Sequence, residues 1–169
     1  AAKAMMTTDT APKTTEVNGV TSSGAAFTVG GVAKGAAMLE PNMATMLSFV
    51  TTDLAVEKEF LQQTLREVAD CSYNMLTIDG DSSTNDIVVV LANGLAGNDP
   101  VSAGSPGADI FKEALMEACT HLSREIARDG EGATRLIIVE VAGAASIQDA
   151  RIAARTVASS NLVKSAVYG

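Results

Sequence analysis

Basic side chains are scarce in this chain of 169 residues, with 12 Lys and Arg against 20 Asp and Glu and a formal net charge of −8. That balance disfavours a nucleic-acid role, because phosphate neutralisation needs a basic face. It does not exclude a small anionic substrate, since one buried lysine can outweigh a distant surface field. Cysteine is nearly absent: Cys71 and Cys119 have no CxxC spacing and fall in expected helices. They read as reduced core thiols, which excludes a disulfide framework and fits a reducing compartment. His121 is the sole histidine. With no second ligand or serine–carboxylate pattern around it, it reads as a surface or hydrogen-bonded residue. No uninterrupted apolar run reaches the roughly 18 residues of a membrane span, and no secretory leader is visible. The chain starts without Met and ends at Tyr168-Gly169, so it reads as a piece of a longer polypeptide or a processed one.

What is abundant is apolar character, 47% of residues, enough for a folded domain with a sizeable core. Residues 1–13 read as a strand end and a turn before Pro12. Two strands are expected at 17–20 and 26–34, joined by the Thr21-Ser22-Ser23-Gly24 turn. Gly30, Gly31 and Gly35 suggest a bulge or a close backbone approach on the second. The nearly continuous apolar run 45–51 predicts a strand buried on both faces. Asp53 is a reasonable cap for a helix over 56–71, with Phe60, Leu61, Leu65 and Val68 as its apolar stripe.

Short strands are expected at 75–78 and 87–92, the latter buried, with a polar loop between them and an irregular loop over 93–107. Phe111, Leu115, Ala118, Leu122 and Ile126 predict a helix over 108–128, ended by Asp129-Gly130. A strand over 136–141, a helix over 147–159 capped by Ser146, and a strand over 162–168 complete the reading. The class is α/β or α+β in one domain, with helices covering sheet faces.

Two familiar site patterns fail. Residues 30–35 lack the phosphate-loop spacing. Asp79, Asp81 and Ser83 resemble the first calcium-loop ligands, but Thr84 and Val90 stand where glycine and a bidentate acid are needed. The segment 79–86 reads instead as a hydrogen-bonded structural loop.

Thr45 is different. Cutting the Ala44–Thr45 bond would put a hydroxyl and a free α-amine on one residue, the arrangement of threonine nucleophiles that carry their own base. Lys34 on a Gly-rich strand, the Pro41 turn and the glycine-flanked acid Glu131 accompany it. Each has an ordinary reading beside the functional one: a strand-initiating threonine, a solvated strand charge, and a turn acid between permissive glycines.

The stretch Lys34-Gly-Ala-Ala-Met-Leu-Glu-Pro-Asn-Met-Ala-Thr45-Met-Leu resembles the cleavage motif of the bifunctional ornithine acetyltransferase / N-acetylglutamate synthase family of arginine biosynthesis. Four further motifs continue the resemblance in order along the chain: Met6-Thr7-Thr8-Asp9-Thr10, Asp79-Gly-Asp-Ser-Ser-Thr-Asn-Asp86, Arg128-Asp-Gly-Glu131-Gly-Ala-Thr134 and Ser160-Asn-Leu-Val-Lys-Ser-Ala-Val-Tyr-Gly169.

The resemblance implies an αββα-type layered fold, akin to N-terminal-nucleophile enzymes, and a precursor that cuts itself between Ala44 and Thr45. Residues 1–44 would then be the C-terminal part of the α chain and 45–169 the N-terminal part of the β chain. Thr45 would be the nucleophile, with Thr8, Lys34, Thr45 and Glu131 binding substrate; Thr7 is a second match for Thr8. The substrates implied are N-acetylornithine and glutamate, with no metal or cofactor, and acetyl-CoA as the alternative acetyl donor of bifunctional members.

The family's oxyanion-hole pair would lie upstream of residue 1 and its C-terminal substrate contacts beyond Gly169. Cleavage products would assemble as an α/β heterotetramer, in a bacterial cytoplasm rather than a mitochondrion or plastid. An amidase or aminopeptidase of related fold, and an inactive uncut fragment, are the competing readings.

Overall fold

The computed structural model describes residues 1–37, 46–80 and 85–169. Residues 38–45, which include Ala44 and Thr45, and residues 81–84 lie outside the described residues. The elements run α1 (Ala2–Met5), β1 (Lys13–Val20), β2 (Ala26–Lys34), β3 (Leu47–Thr52), α2 (Lys58–Cys71), β4 (Ile87–Ala92), α3 (Ala108–Arg128), α4 (Ile147–Ala158) and α5 (Asn161–Tyr168).

The four strands form one sheet in the order β1-β2-β3-β4. β1/β2 and β2/β3 are antiparallel, while β3/β4 is parallel. Parallel neighbours need a crossover, and α2 lies in it. The β1–β2 hairpin closes through the expected turn, where Gly24 N–H donates to the Thr21 carbonyl.

The core lies between the sheet and α3. Phe111, Leu115, Ala118, Leu122 and Ile126 form the expected stripe on α3, and all five are fully buried. They meet Phe27, Val29 and Val50 of the sheet, and Val68 and Tyr73 extend the same cluster. Gly31 allows the helix this close: a Cβ there would stand 3.0 Å from Leu122 Cδ1 and 3.1 Å from Thr15 Cγ2. The β1–β2 register is continuous through Gly30 and Gly31, so neither marks a bulge, and close approach explains Gly31. Phe60 of α2 tilts against Phe111 with ring centroids 6.4 Å apart. Phe111→Ala is expected to lower unfolding stability by about 3–5 kcal/mol in denaturant titrations; a loss under about 1 kcal/mol would contradict this central placement.

The class is therefore the expected α/β (α+β) layering, with this chain supplying a helical layer packed on a sheet. Several local expectations are corrected. Residues 2–5 form a short helix rather than a strand end. β3 alternates between buried and exposed positions, so only one face is covered. β4 is a half-exposed edge strand, with Ile87 47% and Leu91 58% accessible. Asp53 does not cap α2; its carboxylate accepts the Thr28 N–H at 2.8 Å. The helix starts later because Val56 bridges Val101 and keeps the intervening chain out of the helix.

The expected strand at 75–78 is replaced by a 3-10 turn over Tyr73–Met75. There the Ser72 hydroxyl donates to the Val68 carbonyl, and the Tyr73 hydroxyl reaches Ser48 at 2.7 Å. Residues 136–141 form no strand: residues 136–139 line a cavity with Cys71, Ala127 and Ala154. Residues 162–168 are helical, because Ser160 caps α5 by accepting the Val163 N–H. Ser146 caps α4 as expected. Both cysteines are free, but only Cys119 is a core thiol; Cys71 is exposed. His121 lies on the surface. No helix among the described residues is long and apolar enough to cross a membrane.

Candidate functional site

One end of the sheet collects the sequence motifs. Lys34 ends β2 and stands opposite Leu47, two residues past Thr45. Leu47 in turn stands opposite Ile87 at the start of β4. The first residue of β1, Lys13, pairs with Ala33 at the same end. Antiparallel pairing thus brings the end of β2 beside the starts of β1 and β3, and parallel pairing adds the start of β4.

Hydrogen bonds join these segments. Asp9 accepts the Gly35 N–H at 2.8 Å and the Thr7 N–H at 3.2 Å, tying the Thr7–Asp9 loop to the residue after Lys34. The Glu131 N–H donates to the Ala36 carbonyl at 2.7 Å. Asp129 accepts the Thr10 N–H at 2.9 Å and also its hydroxyl. Lys13 Nζ bridges Asp9 and Asp129, 2.6 Å from each. Three of the five motifs are thereby fixed to one another.

The fourth motif arrives through Asp86. Its Oδ1 accepts the Met46 N–H at 2.5 Å, and the Ile87 N–H donates to the Met46 carbonyl at 3.0 Å. Both backbone groups of the residue that follows Thr45 are therefore held. The Ser160–Gly169 motif shares a cavity of about 230 Å³ with the Arg128–Thr134 motif: Glu131 and Thr134 line it together with Lys164, Val167 and Tyr168. Lys164 also donates to the Ile78 carbonyl there.

Electrostatics follow the geometry. Lys34 is only 7% accessible, so the solvated-charge reading is overturned. Burial pushes the Asp86 carboxyl above its usual range, with the Met46 N–H and the Lys34 charge opposing. Burial also acts to raise Asp9, but hydrogen bonds from Lys13, Gly35 and Thr7 with the Lys13 charge hold it below the usual range. Asp129 is lowered against its own burial by Lys13 and Thr10.

Of the residues singled out from sequence, Lys34 is buried at this sheet end, while Thr8 and Glu131 are exposed beside it. Ala44 and Thr45 lie outside the described residues, though the chain re-enters at Met46 in the same place. Lys13, Asp86 and Asp129 escaped the sequence reading. Asp86 and Asp129 do sit inside quoted motifs, whereas nothing in the sequence distinguishes Lys13.

The sequence model of the ArgJ family matches residues 1–169. The chain belongs to the ArgJ family. It is 57% identical over 169 residues to the arginine biosynthesis bifunctional protein ArgJ of Symbiobacterium thermophilum, covering 100% of this chain and 42% of that protein. With the ArgJ protein of Bacillus subtilis it shares 51% over 167 residues, 99% of this chain and 41% of that protein. The chain thus spans about two fifths of the length of these relatives. A crystal structure of the arginine biosynthesis bifunctional protein ArgJ from Bacillus halodurans aligns with a TM-score of 0.73 at 50% identity. That match covers 74% of this chain and 59% of that one.

Proposed function

We propose that this ArgJ-family chain carries the nucleophile and much of the substrate pocket of an acetyltransferase that moves an acetyl group from N-acetylornithine to glutamate. The observation that carries the reading is the convergence of Lys34, the chain leaving Thr45 and the Glu131 turn at one sheet end. Family membership supports the reaction class, since the relatives are named bifunctional proteins of arginine biosynthesis.

In the proposed maturation, Thr45 Oγ attacks the Ala44 carbonyl. The peptide C–N bond breaks to leave an ester and a free α-amine, and water hydrolyses the ester. Residues 1–44 then end one product and residues 45–169 begin the other. In catalysis the Thr45 α-amine takes the proton from its own hydroxyl, an unperturbed α-amino group having a pKa of about 8. The oxygen attacks the acetyl carbonyl of N-acetylornithine, the amide C–N bond breaks, and ornithine leaves with the proton returned to its nitrogen. The glutamate α-amine then attacks the acyl-Thr45 ester, giving N-acetylglutamate and restoring the hydroxyl. Lys34 pairs with a substrate carboxylate, Glu131 with a substrate ammonium, and Thr8 supplies a hydroxyl. No cofactor is needed, and acetyl-CoA is a second acetyl donor if the protein is bifunctional. Segments outside 1–169 complete the site within an α/β heterotetramer.

Asp86 is the positioning residue for Thr45 in this scheme. Asp86→Ala removes the acceptor of the Met46 N–H and is expected to slow self-cleavage at least about tenfold, as displacement by a fraction of an ångström does at a reacting centre. Asp86→Asn keeps an acceptor oxygen and slows it less. Gel densitometry of precursor against product over time reads both, and cleavage at the wild-type rate in Asp86→Ala would remove this role.

The function itself is tested by following an isotopic label from the acetyl group of N-acetylornithine. Label in N-acetylglutamate, with ping-pong kinetics, supports transfer. Label released only as free acetate would make the protein a hydrolase instead.

A further inference from the structure

The bonds around Lys13 close a circuit. Asp9 holds Gly35, the adjacent Ala36 accepts from Glu131, Asp129 lies two residues before Glu131, and Lys13 joins Asp129 back to Asp9. The side chains of Lys13, Asp9 and Asp129 are 2%, 0% and 13% accessible. Burying three charges is a poor way to gain stability, because apolar residues of similar volume often serve as well or better. What such a cluster does supply is fixed relative geometry among segments far apart in sequence. Here those segments are the three that carry Thr8, Lys34 and Glu131.

We propose that Asp9, Lys13 and Asp129 are positioning residues of the substrate pocket, clamping the Thr8 loop, the end of β2 and the Glu131 turn in one register. This rests on the acetyltransferase reading for what the pocket binds, but the clamp itself does not. The effect of the three residues runs through Gly35, Thr10 and the Glu131 backbone. The clamp therefore acts on substrate binding, whereas Met46, the residue after Thr45, is held separately by Asp86.

The test compares Lys13→Met and Lys13→Met/Asp129→Asn in the whole protein. Lys13→Met leaves Asp9 and Asp129 facing each other without a cation. The double variant relieves that repulsion but does not restore the bridge. The KM for N-acetylornithine is expected to rise about tenfold or more in both variants, with kcat changed less than about threefold. Thermal stability is expected to fall in the single variant and to recover in the double one. A KM that recovers together with Tm, or one within twofold of wild type in the single variant, would reduce the triad to a structural role. Amide exchange is read on the same proteins. Faster exchange at Gly35 and Glu131 in both variants is expected, and unchanged exchange overturns the clamp. If wild type transfers no acetyl group, the functional reading fails alone, and the exchange data still decide the clamp.

Discussion

Thr45→Ala is expected to abolish both self-cleavage and acetyl transfer, leaving one uncut chain. A single oxygen serves two reactions in this scheme: it attacks the Ala44 carbonyl during maturation and the acetyl carbonyl in each turnover. Losing a covalent nucleophile removes the pathway rather than weakening it, so residual activity should fall by several orders of magnitude. Thr45→Ser separates the roles. It keeps hydroxyl and amine and should retain partial cutting and transfer, since only the methyl that restricts the side-chain rotamer is lost. A Thr45→Ala protein that still splits at this bond would end the nucleophile assignment, however well it folds. Met46 makes the prediction local: its N–H and carbonyl are held by Asp86 and Ile87, so the chain entering β3 stays anchored in every Thr45 variant.

Lys34→Met should lower kcat/KM for N-acetylornithine by about a hundredfold, the cost of losing a charge-assisted contact of about 2–3 kcal/mol. Methionine keeps the length and most of the volume of lysine, so the apolar stem still packs at the end of β2 while the ammonium is lost. Lys34 is almost fully enclosed, and in so shielded a place an ion pair with a substrate carboxylate is weakened little by salt. Both proposed substrates carry an α-carboxylate, so the KM for glutamate should rise as well. The same change removes the cation that opposes the burial of Asp86, and the Asp86 carboxyl should move further above its usual range. Steady-state kinetics with each substrate varied in turn provide the check. A kcat/KM within threefold of wild type for both would leave Lys34 a structural lysine.

The parts of this fold legible in the sequence are those whose pattern is local and long. Helix α3 shows five apolar residues at helical spacing, and the structure buries all five. The β1–β2 hairpin was marked by its Thr-Ser-Ser-Gly turn. Short apolar runs were not decisive. Residues 162–168 read as a strand, and the Ser160 cap makes them a helix. Residues 136–141 look like a strand but pair with none of the four strands, and period alone cannot show that a partner is missing.

For the candidate site, motif resemblance singles out Lys34 and Glu131 because they lie in contiguous stretches. It could not reach Lys13, whose partner Asp129 is 116 residues away. Nor could it give Asp86 a task, which depends on β3 and β4 pairing in parallel so that Met46 meets Asp86. Such roles are properties of the sheet end as a whole and have no local signature.

The central claim is that Thr45 becomes an N-terminal nucleophile that carries the acetyl group. Intact-mass analysis of the whole protein, before and after exposure to N-acetylornithine without glutamate, tests it most directly. The account predicts two species divided at Ala44–Thr45, with the piece beginning at Thr45 gaining one acetyl group that added glutamate removes. A single uncut species, or a cut protein whose Thr45 piece gains no acetyl mass, would contradict it.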